Sequence, residues 1–203
     1  MNSAQLKQLE EDLWATADNL RANANLKASQ YSTPVLGLIF LKFAEINYNK
    51  NESAILKEYE ELKGTRREKP IHEIAVVRCG FYLPAEARYD YLLNLSEDRD
   101  IAKAIEHAME QIEKYKPELE DCLPKRQYFD LTSTEQTRDL PRDLLRKFDD
   151  IPEDASGDVF GLIYEYFLGK FSLSDAQDEG AFFTPKSVVK LMVEIIEPHG
   201  GRV

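Results

Sequence analysis

Cysteine is scarce. Cys79 and Cys122 are the only two in 203 residues, too few and too far apart for a disulfide framework or a zinc knuckle. With His72, His107 and His199 they give no metal-ligand spacing either. They read as reduced thiols of a cytosolic protein. Glycine and proline, at 9 each, are scattered, which excludes collagen-like and low-complexity sequence. Long hydrophobic runs are missing as well. The longest, Val35 to Ile46, is broken by Gly37, Lys42 and Glu45 and falls far short of the roughly 20 residues of a membrane span. The opening MNSAQLKQLEEDLW has neither the basic nor the apolar region of a secretory signal. Positive charge is in the minority: 26 Lys and Arg face 37 Asp and Glu, a net charge of -11. A module that grips nucleic acid by bulk charge has the opposite balance, so only local basic patches remain for that role. A metal-dependent hydrolase is disfavoured, because the pair Asp149-Asp150 falls on a turn with no histidine near it.

What is present is core material. Hydrophobic residues make up 43% of the chain and aromatic residues 10%, enough for a sizeable core and against wholesale disorder. Leu6, Leu9, Leu13, Ala17 and Leu20 recur at helical steps and predict an amphipathic helix from Ser3 to about Asn23, with Trp14 beside the stripe. Thr33-Pro34 reads as a helix start, leading into VLGLIFLKFAEI, apolar nearly all round and so the central helix of a bundle. A separate helix is expected from about Glu52 to Leu62, stopping at Gly64. The run IAVVRCGFYLP is the best strand candidate, closed by Pro84, and AEARYDYLLNL returns to helix. Ile101, Ala104, Ile105, Ala108, Met109 and Ile112 form another helical stripe, opened by Ser96 with Glu97 and Asp98 and ended by Pro117. Thr132-Ser133-Thr134 is expected to cap a helix through Phe148, with Pro141 as a break or restart.

From Asp149 the texture changes. DDIPEDASGD reads as a linker or domain seam. VFGLIYEYFLGKF follows as a buried helix ending near Gly169, then a loop, then a last helix entered through Thr184 and Pro185. The expected fold is mainly α, an N-terminal helical bundle with at most one small β-hairpin. Two clusters, Arg66, Arg67 and Lys69 in the polar loop GTRREKP, and Lys125 with Arg126, are candidate DNA-phosphate contacts, although GTRREKP, with no aromatic interleaved, reads more readily as a solvated loop.

Three stretches carry a resemblance. LWATADNLRANANLKASQYSTPVLGLIFLKFAE (13–45) resembles the opening of the modification subunit of type I restriction-modification systems. GFYLPAEARYDYL (80–92) is similar to that family's middle signature. GDVFGLIYEYFLGKF with EGAFFTP and its helix (157–197) is similar to the stretch leading into the family's catalytic domain. The resemblance implies residues 1–150 as the N-terminal helical domain. It implies 151–203 as the start of an α/β, Rossmann-like, adenine-N6 DNA methyltransferase domain that is cut off. It implies S-adenosylmethionine as cofactor and DNA as substrate. It also implies a cytoplasmic complex with specificity and restriction subunits, with two modification subunits per specificity subunit and no membrane.

Carried over onto this sequence, the cofactor-bordering motif is Gly180, Ala181, Phe182, Phe183, Thr184, Pro185 and Lys186. A Thr-Pro helix start leaves first-turn amides for a ligand carboxylate. The departures are equally specific. The chain has no Gly-x-Gly loop and no Asn-Pro-Pro-aromatic motif, which the family uses for the cofactor and the flipped adenine. No catalytic residue is therefore assigned, and the fragment alone is expected to be inactive, serving DNA and subunit contacts. The alternative is a non-enzymatic acidic helical interaction module.

Overall fold

The computed structural model describes residues 3–152, 157–179, 184 and 186–197. Among them are nine α-helices: α1 (Ser3–Asn23), α2 (Ala28–Leu62), α3 (Ile71–Cys79), α4 (Tyr89–Leu93), α5 (Ile101–Tyr115), α6 (Gln127–Leu131), α7 (Leu140–Phe148), α8 (Gly157–Glu179) and α9 (Lys186–Ile196). No described residue lies in a strand. The mainly α expectation holds.

The bundle is organised around α2, against which α1, α3, α4, α6, α7 and α8 all pack. Its apolar run explains that position, since Tyr31, Val35, Leu38, Ile39, Ala44 and Ile55 are all fully buried. Lys42 and Glu45, which break the run in sequence, are buried too, and each is neutralised. Lys42 Nζ lies 2.6 Å from Asp149 Oδ1, and Glu45 accepts from Arg88 Nε at 2.9 Å and from the Tyr89 amide at 2.9 Å. The interruptions are thus ionic ties between α2 and later parts of the chain, satisfied as buried charge requires. Gly37 marks the closest approach on α2. A Cβ there would collide with the Pro124 ring and the Tyr128 hydroxyl, and that hydroxyl donates to the Pro34 carbonyl at 2.9 Å.

Several boundaries differ from the sequence expectations, each for a physical reason. The strand candidate is helix: Ile71–Cys79 forms α3, started after Pro70 and ended by Gly80 at φ 90°, a left-handed cap. Asn47 Nδ2 holds its last carbonyl, that of Cys79, at 3.0 Å. Packing on α2 overrides the β propensity of Ile and Val. Thr33-Pro34 does not begin a helix. α2 starts at Ala28, where the Lys27 amide donates to Gln30 Oε1 at 3.1 Å, and it runs through Pro34. It also absorbs the helix expected separately at 52–62. Asp100, not Ser96, caps α5 by accepting from the Lys103 amide at 3.2 Å. Thr132-Ser133-Thr134 does not cap a helix: residues 132–139 form turns, and α7 begins at Leu140 with Pro141 in its first turn, where a missing amide costs nothing. α8 continues past Gly169 to Glu179, and Ser172 and Ser174 bond back to Leu168 and Lys170 carbonyls.

The inner side of α8 completes the core. Phe160, Ile163, Phe167 and Phe171 are buried, and Trp14 of α1 meets Phe167 and Phe171 edge-on at 5.5 and 5.1 Å. Three buried tyrosines differ in one respect. Tyr89 donates to the Leu145 carbonyl at 2.6 Å and Tyr128 to that of Pro34, while the Tyr31 hydroxyl has no described partner. Tyr31→Phe is therefore expected to leave stability unchanged or raise it, whereas Tyr128→Phe should cost about 1 kcal/mol. Urea unfolding of both variants checks the contrast, and equal losses would contradict it.

Candidate functional site

The loop between α2 and α3 is a folded turn that projects its cations. Gly64, at φ 73°, lets the chain reverse. Its amide donates to Glu68 Oε2 at 2.9 Å, and Thr65 Oγ1 donates to the Leu62 carbonyl at 2.6 Å. Arg66, Arg67 and Lys69 are exposed, with no ion pair among the described residues, while Lys63 is paired with Glu60 at 3.3 Å.

The second basic pair is differently placed. Lys125 Nζ lies 2.6 Å from Glu113 Oε2 and 3.1 Å from Asp121 Oδ1. The Glu113 hydrogen bond, against a smaller desolvation, pushes its pKa up. Arg126 is exposed before α6. Pro124 touches α2 at Gly37, whereas the loop follows Leu62. At about 1.5 Å per helical residue, roughly 40 Å of α2 separates the two clusters. The fold does not bring them together.

What the fold does bring to the loop is a ring cluster no local pattern announces. His72, three residues after Lys69, lies 4.9 Å from the Tyr115 ring, and Tyr82 lies 5.1 Å from it. Lys114 Nζ sits 5.2 Å over Tyr115. These rings come from α3, the following loop and α5, so their only sequence signal is aromatic content.

Resolved pKa shifts run away from neutrality. Burial first, then Tyr82, pushes Tyr48 up to about 12, and burial raises Tyr31, Tyr82, Tyr89 and Tyr128. Burial also raises the Cys79 thiol. Arg88 is raised because Glu45 and Glu52 together outweigh its desolvation. Asp98 is lowered, chiefly by a hydrogen bond with Ser96. None of these shifts poises a group for proton transfer near pH 7. Among the described residues no three His, Cys, Asp or Glu side chains converge on a metal position. No helix among them is long and apolar enough to cross a membrane.

Of the cofactor segment, Gly180, Ala181, Phe182, Phe183 and Pro185 lie outside the described residues. Thr184 is exposed, and Lys186 opens α9. From Val188 to Glu197 every residue is exposed. The described residues around this segment therefore form no enclosure for a group the size of S-adenosylmethionine, and they support no catalytic step through it.

Comparison with known proteins gives the frame for these observations. The HsdM N-terminal domain family matches residues 9–148, and the N-6 DNA Methylase family matches residues 155–203. The chain is 34% identical over 209 residues to the type I restriction enzyme MjaIX methylase subunit of Methanocaldococcus jannaschii, covering 97% of this chain and 36% of that protein. It is 28% identical over 153 residues to the type I restriction enzyme HindI methylase subunit of Haemophilus influenzae, covering 70% of this chain and 31% of the relative. The chain thus spans about a third of the length of the curated relatives it matches. With a family match over residues 9–148 and a relative aligned along nearly all of this chain, the chain belongs to the family of type I restriction-modification methylase subunits and carries their HsdM N-terminal domain.

Proposed function

We propose that this chain forms part of a DNA methyltransferase subunit that transfers a methyl group from S-adenosylmethionine to adenine N6. A specificity subunit sets the sequence, and a restriction subunit joins the same cytoplasmic complex, which holds two modification subunits per specificity subunit. The observation that carries this reading is the HsdM N-terminal match over 9–148, followed by the N-6 DNA Methylase match over 155–203. Residues 1–150 are the helical module and 151–203 the opening of the methyltransferase module. The helical module contacts DNA and the partner subunits and holds no catalytic residue. Gly180 to Lys186 border the cofactor in the complete subunit, where the group supplies the activated methyl. By itself the chain is not catalytic. Net acidity agrees with a division of labour in which a few local cations position the phosphate backbone while another subunit reads bases.

Two experiments test it. Isothermal calorimetry of the 203-residue chain with S-adenosylmethionine should show no binding below millimolar concentration, since the chain lacks the Gly-x-Gly loop that the family uses for the cofactor. Micromolar affinity would sink the non-catalytic reading. In a reconstituted complex, Arg66→Ala, Arg67→Ala and Lys69→Ala together should lower DNA affinity. They should also flatten the slope of log affinity against log salt by up to about 2 to 3, one counterion for each phosphate no longer neutralised. The same treatment of Lys125, whose charge is already held by Glu113 and Asp121, should change the slope less. An unchanged slope in the triple variant would return the loop to a solvated surface.

A further inference from the structure

The exposed large apolar side chains among the described residues are not scattered. Apart from Leu56, Val77 and Tyr91, all of them lie on α8 and α9. On α8 they flank the outer side. Phe160, Ile163, Phe167 and Phe171 point into the bundle, while Tyr164 and Leu168 on one flank and Leu162 and Leu173 on the other are 40 to 51% exposed. A hollow of about 330 Å³ runs along one flank of this side, between Phe40 and Phe43 of α2 and Gly161. Another of about 380 Å³ follows the other flank, beside Gly169. Gly161 is open, with no atom within 4 Å of where a Cβ would stand. A helix with apolar side chains on most of its sides is normally covered on most of them, and exposed apolar side chains gathered on one element mark an interface.

We propose that the outer face of α8 seats the body of the methyltransferase domain, so that one helix is shared by the bundle and the catalytic unit. The occupant is argued from three observations. The N-6 DNA Methylase match covers α8 and α9, the two helices that carry the bare apolar side chains. The curated relatives are about three times the length of the aligned stretch, so they hold ample further chain to cover it. The flanking hollows expose mainly apolar surface and include Gly161 and Gly169, with Glu165 on both and Glu10 and Lys170 on the second, which suits close approach of another element of a folded domain rather than of a phosphate backbone. The proposal rests on the reading of the chain as part of a methylase subunit. It adds that α8 transmits any movement of the bundle to the cofactor segment directly after it.

The test uses two proteins. The first is the 203-residue chain. The second is the M. jannaschii methylase subunit with this chain in place of its matching portion. Hydrogen exchange of the peptide 160–174 should slow at least tenfold in the second relative to the first. Gly161→Leu should leave the melting temperature of the 203-residue chain unchanged or raised, because its side chain enters open space and improves helix propensity, yet it should abolish that protection. If protection is absent in the replaced subunit, or appears only when the 203-residue chain is concentrated into a dimer, the proposal is overturned. If protection is present but S-adenosylmethionine does not bind, the methyltransferase reading fails and the docking stands. Should the replaced subunit not fold, dye binding decides. The 203-residue chain should enhance anilinonaphthalene sulfonate fluorescence, and Leu162→Glu with Leu168→Glu should remove most of it without shifting the melting temperature. Enhancement that survives the double variant overturns the face as the bare surface.

Discussion

Ended at residue 150, the chain is expected to lose cooperative unfolding, whereas ended at 179 it should keep the stability of the whole. The difference is α8. Its inner face supplies Phe160, Ile163, Phe167 and Phe171, all buried. At about 1.5 to 3 kcal/mol for each such side chain, their loss removes roughly 6 to 12 kcal/mol, as much as an entire domain of this size has to lose. The truncation would also uncover Trp14, Tyr31, Phe43 and Phe148, which pack against these rings. Trp14 is the single tryptophan of the chain and reports directly. Its emission should lie at the solvent-exposed wavelength in the shorter chain and stay blue-shifted in the longer one. A sharp two-state melt of residues 1–150 with buried Trp14 would show that the bundle closes without α8. The boundary between the two family matches would then also be a boundary in stability, which the packing of α8 argues against.

Glu45→Ala should cost about 3 to 5 kcal/mol, the usual consequence of removing one partner of a buried charge pair. Glu45 is 3% exposed and takes part in three hydrogen-bond contacts at once. It accepts from Arg88 Nε through both oxygens, at 2.9 and 3.1 Å, and it caps the buried Tyr89 amide. Arg88 in turn reaches Glu52 at 3.0 Å and Asn49, and lies 4.7 Å over the Tyr48 ring. Without Glu45 the guanidinium keeps Glu52 but is deprived of its most buried counter-charge, and the Tyr89 amide is left unpaired. Arg88→Lys should recover little, because an ammonium cannot span Glu45, Glu52 and Asn49 with one planar fork. Urea denaturation of the single variants and of Glu45→Ala with Arg88→Ala measures the coupling. If Glu45→Ala costs under 1 kcal/mol and the double variant equals the sum of the singles, the knot is not what fastens α4 to α2.

Local pattern carried a good deal of this molecule. The stripe from Ile101 to Ile112 is α5, because three- and four-residue steps put those side chains on one face whatever they meet. The apolar stretch Val35 to Ile46 had to be central, since no orientation of it exposes only polar groups. Composition and charge alone excluded a disulfide scaffold and a bulk nucleic-acid clamp. The motifs at 13–45, 80–92 and 157–197 pointed to the family to which the chain belongs. Other features depended on partners distant in the chain. Pro34 and the Val-rich run at 74–77 carry strong local signals, a helix start and a strand, and both yielded to contacts with α6 and α2. Lys42 and Glu45 looked like interruptions until Asp149 and Arg88, far along the chain, neutralised them. The two basic clusters look alike in sequence. Only the stretch of α2 between Gly37 and Leu62 sets them far apart, and only Glu113 and Asp121 bind the charge of Lys125.

The amino-acid sequence by itself determined helix content, the central helix and the family, because these follow from periodicity, hydrophobicity and short motifs along one stretch of chain. The tertiary structure decided where helices end, which cations stay free and which face of α8 is left bare. Those outcomes depend on burial and charge neutralisation between residues that have no relation in sequence until the core forms.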